Sequence, residues 1–283
     1  MNITDVLKHW YDENKRELPW RNTKDPYKIW LSEIILQQTR VNQGKSYYYT
    51  FIEKYPAVAS LANAPLDSVL KNWQGLGYYN RARNLHATAR YIHRKLNDKF
   101  PENYKELLSL KGIGEYTAAA IASFAYEEPV AVVDGNVQRF LSRFFGIKTP
   151  INSSQGKKEF RQLANQLIDK KLPGKHNQAI IEFGAIHCTP HNPICQECPF
   201  QKDCFAFQNN QKDHLPVKKK GKEKRTRYFN FLIIKSAGKI ALDKRENNDI
   251  WSSLYQFPLI ETKAETNIDS LVTTQEWRKL FND

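Results

Sequence analysis

"LLSLKGIGEYTAAAIASFA", residues 107–125, passes from an apolar helix-forming run through Gly112, Ile113 and Gly114 to Tyr116 and a second apolar run. Two glycines flanking one apolar residue let the backbone turn with positive φ, and they leave the amides before the second helix unshielded, where a DNA phosphate can sit. Alone, a G-x-G suits any helical hairpin. The pattern recurs upstream, however: "LKNWQGLGYYNRARNLHATARYI", residues 70–92, again runs helix, Gly-apolar-Gly, Tyr, helix. Each stretch reads as a helix-hairpin-helix, so the chain carries an internal repeat of that unit.

Helical periodicity continues on both sides. In "IWLSEIILQQTRV", residues 29–41, Trp30, Ile34 and Val41 fall on one stripe, and in "NVQRFLSRFF", residues 136–145, Val137, Phe140, Leu141 and Phe144 do the same. Both are predicted as core-facing helices, and the fold class as mostly α. At 283 residues and 41% hydrophobic the chain can bury a real core and exceeds the ~100 to 200 residues of one domain, so two are expected.

All four cysteines fall within "CTPHNPICQECPFQKDC", residues 188–204, spaced six, two and five residues apart. Disulfides need an oxidising compartment, yet the opening "MNITDVLKHWYDENKRELPW" has no apolar h-region and no cleavage site. A cytoplasmic location is expected, and no run approaches the roughly 18 apolar residues of a membrane span. Clustered thiols in a proline-stiffened loop suit tetrahedral zinc or a cuboidal iron-sulfur cluster. Structural zinc sites usually pair two short C-x(2-4)-C knuckles, whereas only Cys195 and Cys198 form one here, so a 4Fe-4S cluster fits better; four free core cysteines are the bland alternative.

The charge is one-sided: 43 Lys+Arg against 30 Asp+Glu leave a formal +13, which attracts polyanions such as nucleic acid or an acidic membrane surface, with a solvated basic surface as an equal alternative on charge alone. Residues 215–227, "LPVKKKGKEKRTR", carry seven basic residues and one glutamate between positions 218 and 227 and read as an exposed linker able to touch phosphates. Beyond it "YFNFLIIK", a turn at "SAGK", "IALDKR" and "LYQFPLI" alternate like strands. The expected organisation is a helical domain over 1–214 that includes the loop 188–204, the linker 215–227, and a small, incomplete β-rich domain over 228–283.

The hairpin "LKGIGEYT", the downstream acid in "VDGNVQR" and the C-x6-C-x2-C-x5-C loop together resemble the helix-hairpin-helix DNA glycosylase superfamily with an iron-sulfur loop, over residues 1 to about 210. Within it, "LPWR", "WLSEIILQQTRV", "GLGYYNRARNL" and "IEFGAIHC" look like the MutY-type adenine glycosylases, and "LYQFP" looks like the start of their Nudix-like recognition domain. The resemblance implies a monomeric base excision repair hydrolase, nucleoid-associated in a bacterium, acting on double-stranded DNA with adenine mispaired with 8-oxoguanine or guanine.

It also assigns roles. Glu33 is the general acid that protonates adenine, its pKa lifted beside the apolar Trp30/Ile34 stripe. Asp134 stabilises the sugar cation, although at a helix start it could equally cap amides, and Tyr116 and Asn136 complete the catalytic set. Tyr78 and Gln38 form the wedge, Arg16, Leu18, Trp20 and Glu182 the adenine pocket, Gly112 and Gly114 the DNA-backbone contact, and Cys188, Cys195, Cys198 and Cys204 the 4Fe-4S ligands. Glu182 could accept from the adenine amine or meet buried donors instead. Endonuclease III-type relatives carry a lysine at the Tyr116 position that attacks the sugar, whereas here Lys111 is nearest and does not match, so water is the expected nucleophile. The alternatives are a bifunctional endonuclease III-type glycosylase/lyase, a non-catalytic metal-stabilised DNA-binding protein and a zinc-dependent regulator. A Nudix hydrolase box is absent from the tail, and no nucleotide hydrolysis is expected there.

Overall fold

Short polar residues set the helix starts. Asn2, Asp25, Asn103, Asp134 and Ser153 each turn a side-chain oxygen onto an orphan amide of the adjoining helix, and Pro26 and Pro173 occupy first helical positions where no N–H is needed. In the computed structural model, which describes residues 2–221, 225–245, 250–252 and 254–281, these helices build one unit of residues 1–77 and 81–220; a smaller unit comprises 221–283 together with 78–80.

The helical unit runs α1 (Ile3–Asn14), α2 (Pro26–Leu36), α3 (Val41–Lys54), α4 (Val58–Asn63), α5 (Leu66–Asn72), α6 (Asn80–Leu96), α7 (Tyr104–Ser109), α8 (Glu115–Tyr126), α9 (Gly135–Phe145), α10 (Ser154–Leu167), α11 (Pro173–Glu182) and α12 (Phe205–Gln208). Helices α2 and α8 pack together at its centre. The alanines 118, 119, 120 and 122 of α8 are all buried, and side chains this small let the α2 backbone come close. A second core gathers Leu7 and Trp10 of α1, Val137, Phe140 and Leu141 of α9, Phe160, Ile180, Phe183 and Phe200. The last turn of α11 widens into a π-turn, Phe183–His187, which delivers Cys188 to the edge of this aromatic core.

The two hairpins are α5–α6 and α7–α8, as the repeat predicts. Positive φ is used at Gly75 (97°), Gly77 (70°) and Gly112 (76°), but not at Gly114, which is the extended N-cap of α8. A Cβ on Gly112 would lie 2.6 Å from Asn84 Cβ, so the α7–α8 turn is also a close approach to α6; at Gly114 nothing lies within 4 Å.

The stretch 29–41 departs from its single-helix reading. Helix α2 ends at Leu36, Gln38 has φ 57°, and Val41 starts α3, so Trp30 and Ile34 are buried in one helix while Val41 belongs to the next. The polar "QQT" breaks the run where periodicity alone continues it. Residues 215–219, read as the start of an exposed linker, are bonded to the helical unit: Leu215 O accepts from Arg143 Nε (3.0 Å), Val217 O from Ile151 N (3.0 Å), and Asn152 bonds both N–H and C=O of Lys219. Residues 222–224 of that basic run lie outside the described residues.

In the smaller unit, β1 (Tyr228–Phe231) pairs antiparallel with β6 (Leu259–Thr262), β2 (Lys235–Ser236) with β3 (Lys239–Ile240) across the Ala237–Gly238 turn, and β4 (Asp243–Lys244) with β5 (Tyr255–Gln256). The strands are shorter than the alternation suggested. Two helices that the alternation did not anticipate end the unit, α13 (Ile268–Leu271), capped by Asn267, and α14 (Gln275–Phe281).

Candidate active site

Glu33 sits on α2 and is only 8% exposed. Burial raises its pKa from the usual carboxylate range to about 7; the Tyr116 hydroxyl, donating to the carboxyl, pulls it down, the charge of Asp134 pushes it up and that of Arg21 pulls it down again. Tyr116, in the first turn of α8, is driven well above the normal phenol range by the same burial and by the two carboxyls beside it, so it remains an O–H donor.

Asp134 fulfils both of its sequence readings. As N-cap of α9 its Oδ1 accepts from the amides of Asn136 (2.9 Å) and Val137 (2.8 Å), while Oδ2 accepts from Asn136 Nδ2 (2.7 Å). Burial raises its pKa, and these donors oppose the rise. The helix N-terminus and three N–H groups are the setting in which a carboxylate keeps its charge. Two carboxyl groups are thereby driven apart in function: one holds a proton near neutrality, and the other is furnished with donors for the ionised form.

Leu18 and Trp20 are buried around the short 3-10 turn Pro19–Arg21, with Trp20 edge-on to Tyr48 at 5.4 Å. Glu182, at the end of α11, is saturated: Oε1 accepts the backbone N–H (3.0 Å) and Nε–H (2.7 Å) of Arg16, and Oε2 accepts Arg16 Nη2 and Arg21 Nη2, both at 2.6 Å. Burial works to raise its pKa, but the hydrogen bonds of Arg16 and Arg21 prevail and carry it down to about 2. A carboxylate offers about four acceptor sites. All four are taken, so the geometry favours Glu182 as the anchor of two arginines over an acceptor for the adenine amine. Gln38 and Tyr78, the wedge candidates, are both exposed and both hold positive φ, 57° and 46°.

Arg21 is the residue that sequence reasoning passed over. It stood in "LPWR" without a role, yet its guanidinium touches Glu182, donates to Arg16 O (3.0 Å), lies over the Tyr11 ring and acts electrostatically on Glu33. Arg139 was missed as well: from α9 it donates to Asn136 Oδ1 (2.9 Å), to Cys188 O (2.7 Å) and to Gly184 O, joining the catalytic helix to the cysteine loop. The only sequence signal for either was an arginine inside an otherwise apolar helical or turn segment.

All four cysteines line one apolar pocket with Phe140, Phe144, Phe183 and Phe200. Burial pushes the thiols of Cys188 and Cys195 up and that of Cys198 up to about 12, so each needs a cationic partner to ionise. Arg143 supplies a donor, Nη1 to Cys188 Sγ at 3.5 Å, and its other bonds to Thr189 O (2.7 Å) and Pro190 O (3.1 Å) hold the loop. Among the described residues no three Cys, His, Asp or Glu side chains are grouped tightly enough for a single metal ion. The four thiols share the lining of this one pocket.

Residues 31–169 match the HhH-GPD superfamily of base excision DNA repair proteins. The chain is 40% identical over 256 residues to an adenine DNA glycosylase of Buchnera aphidicola subsp. Baizongia pistaciae, covering 89% of this chain and 72% of that one. It is 42% identical over 218 residues to the mouse adenine DNA glycosylase, covering 74% of this chain and 42% of the mouse protein. In three dimensions it resembles a thermostable thymine-DNA glycosylase with TM-score 0.68 and 30% identity, over 73% of this chain and 95% of that one.

Proposed function

The chain belongs to the adenine DNA glycosylases of the HhH-GPD superfamily, and from that premise we propose that it hydrolyses the N-glycosidic bond of adenine mispaired with 8-oxoguanine or guanine in duplex DNA, using Glu33 as acid, Asp134 as electrostatic partner and water as nucleophile. The observation that carries this reading is a buried carboxyl with a pKa of about 7, hydrogen-bonded by Tyr116 and within electrostatic reach of a second, amide-capped carboxylate.

Glu33 delivers its proton to a ring nitrogen of adenine as the N9–C1′ bond breaks with both electrons leaving on the base. Positive charge develops on the sugar, and Asp134, held ionised by the α9 N-terminus and Asn136, stabilises it. Water then adds to C1′ and returns a proton to the Glu33 carboxylate. Tyr116 offers no amine, so no Schiff base forms and the strand stays intact. Arg16 and Arg21, locked by Glu182, shape the base pocket with Leu18 and Trp20, and Gln38 and Tyr78 enter the duplex to offset the few kcal/mol of unstacking. Cys188, Cys195, Cys198 and Cys204 would hold a 4Fe-4S cluster, whose ligation would pin the loop. Gly112 and Gly114, with their open amides, take a backbone phosphate. The chain is proposed to act as a monomer in the bacterial cytoplasm, held at the nucleoid by DNA binding.

The deciding experiment is single-turnover incubation with duplexes carrying A:8-oxoguanine, A:G and A:T. Adenine release from the first two, with nicking only after alkali, is expected, together with visible absorbance near 400 nm. Cleavage without alkali, or no release, overturns the assignment.

A further inference from the structure

Arg81 lies in the first turn of α6, half-buried over the Trp73 ring with its guanidinium carbon 5.0 Å from the ring centroid. Its Nη1 donates to the carbonyls of Ile34 (2.9 Å), Ile35 (3.1 Å) and Gln37, and its Nη2 to those of Leu76 (3.2 Å) and Gly77 (3.4 Å). The first three are the orphan carbonyls at the end of α2, and the other two belong to the turn of the first hairpin. A guanidinium is a rigid planar fork, and here it ties the chain segment 34–37 to the segment 76–77.

Two of these carbonyls stand directly before the wedge candidates in the chain. Gln37 O belongs to the peptide unit that enters Gln38, and Gly77 O to the one that enters Tyr78. Both Gln38 and Tyr78 sit at positive φ, 57° and 46°, a region that non-glycine residues occupy at a cost and only where surrounding bonds enforce it. Trp73, fully buried, adds its Nε1–H to Gly77 O at 3.0 Å, so the platform under Arg81 clamps the same peptide.

We propose that Arg81 is a positioning residue for base extrusion: by holding the peptide units in front of Gln38 and Tyr78 it fixes both wedge residues in their strained conformation before DNA arrives. The role rests on the wedge assignment made under the proposed function. Because Ile34 directly follows Glu33 in α2, support of the acid is the competing role, and the two duplexes of the test separate it from positioning of the wedge.

The test uses Arg81→Lys, which keeps the charge and loses the fork, and Trp73→Phe, which keeps an aromatic face but loses the N–H and part of the ring. Single-turnover excision is compared on two duplexes, adenine opposite guanine and adenine opposite an abasic site, where extrusion is easy. Misplacement of about 1 Å costs on the order of a hundredfold in rate, and Arg81→Lys is expected to lose that much on the A:G duplex and less than about tenfold on the abasic one. Trp73→Phe should show the same asymmetry, more weakly. Hydrogen exchange on the DNA-free protein should speed up at amides 37–40 and 76–79 in Arg81→Lys, and at 76–79 alone in Trp73→Phe. Equal losses on both duplexes would mean that Arg81 supports the acid, and unchanged exchange in a folded variant would mean that it holds nothing; either overturns the proposal. Absence of excision by the unaltered protein would instead sink the glycosylase reading, leaving the exchange measurement to decide the role of Arg81.

Discussion

Glu33 and Glu182 are the same residue type, both buried, on neighbouring sides of one helical unit, yet their acidities are driven in opposite directions, to about 7 and about 2. Desolvation acts on both and favours the neutral form of each. The difference lies in what the chain supplies in return. Glu182 receives four charge-assisted or amide donors from Arg16 and Arg21, enough to outweigh burial, whereas Glu33 receives one phenol and shares its surroundings with the carboxylate of Asp134. A buried glutamate is thus made an acid or an anchor by its neighbours, and Arg21 is the neighbour that acts on both.

The largest expected effect breaks the acid side. Glu33→Gln keeps the shape and removes the proton, and single-turnover excision should fall by about 10² to 10⁴, with duplex affinity measured by titration nearly unchanged. A rate within tenfold of the unaltered protein would show that the comparison has picked the wrong acid.

The next effect lies on the anchor side. Glu182→Gln leaves two arginines without their counter-charge in a buried setting, where breaking such a pair costs about 3–5 kcal/mol. Arg16 has a side chain 37% exposed, which places the expectation at the lower end, about 3 kcal/mol, read as a shift of the urea midpoint. Glu33→Gln in the same assay should be neutral or stabilising, because an amide carries no charge to desolvate. If the two substitutions destabilise alike, burial alone governs both sites and the contrast fails.

The two sides of this contrast were unequally readable in the sequence. Glu33 falls beside the Trp30/Ile34 stripe within one helical turn, and the four cysteines within seventeen residues, so their surroundings are encoded locally. The hairpins are marked by glycines, of which Gly75, Gly77 and Gly112 take the positive φ of their turns. Asp134 could be seen as a cap from its place before "NVQRF". By contrast, the partners of Glu182 lie 166 and 161 positions away, and Gln37 O and Cys188 O, held by Arg81 and Arg139, lie 44 and 49 positions from them. No periodicity carries such pairings, because they are fixed only when helices dock. The break at residues 37–40 was missed for a related reason: the apolar spacing tolerates one helix, and Gln37 O, just before the positive-φ Gln38, accepts from Arg81 of another element.

A smaller effect sharpens the comparison through pH. The folded-state pKa of Glu33 is raised from an unfolded value near 4.5 to about 7, so its contribution to stability is full below 4.5 and is lost as pH climbs through 7. Glu182 is depressed from 4.5 to about 2, so its contribution is full above 4.5 and is lost as pH falls toward 2. Urea midpoints across pH should therefore decline in both directions from mildly acid conditions. On its alkaline side excision should track Glu33, falling about tenfold per unit above about 7, while the acid limb belongs to Asp134, which must stay ionised. A profile with no limb near 7 separates the catalytic proton from this carboxyl.

The smallest effect isolates the one donor that Glu33 does have. Tyr116 lowers the pKa of Glu33 by donating to its ionised form, while burial and Asp134 raise it. Tyr116→Phe removes that donor and leaves the ring and both carboxyls in place, so the carboxyl should cling to its proton more strongly. The descending limb of the excision profile should then move to higher pH, by less than about one unit, since a single hydrogen bond contributes on the order of 1 kcal/mol and one pKa unit corresponds to about 1.4. The plateau rate should drop only modestly, because the acid itself is retained. Arg21→Met moves the same limb in the same direction through loss of a positive charge, but it also breaks the Glu182 anchor and lowers the urea midpoint. Tyr116→Phe leaves that midpoint almost alone. A limb that moves to lower pH in Tyr116→Phe would mean that Tyr116 bonds the protonated acid instead, and that the low donor supply at Glu33 is not what distinguishes it from Glu182.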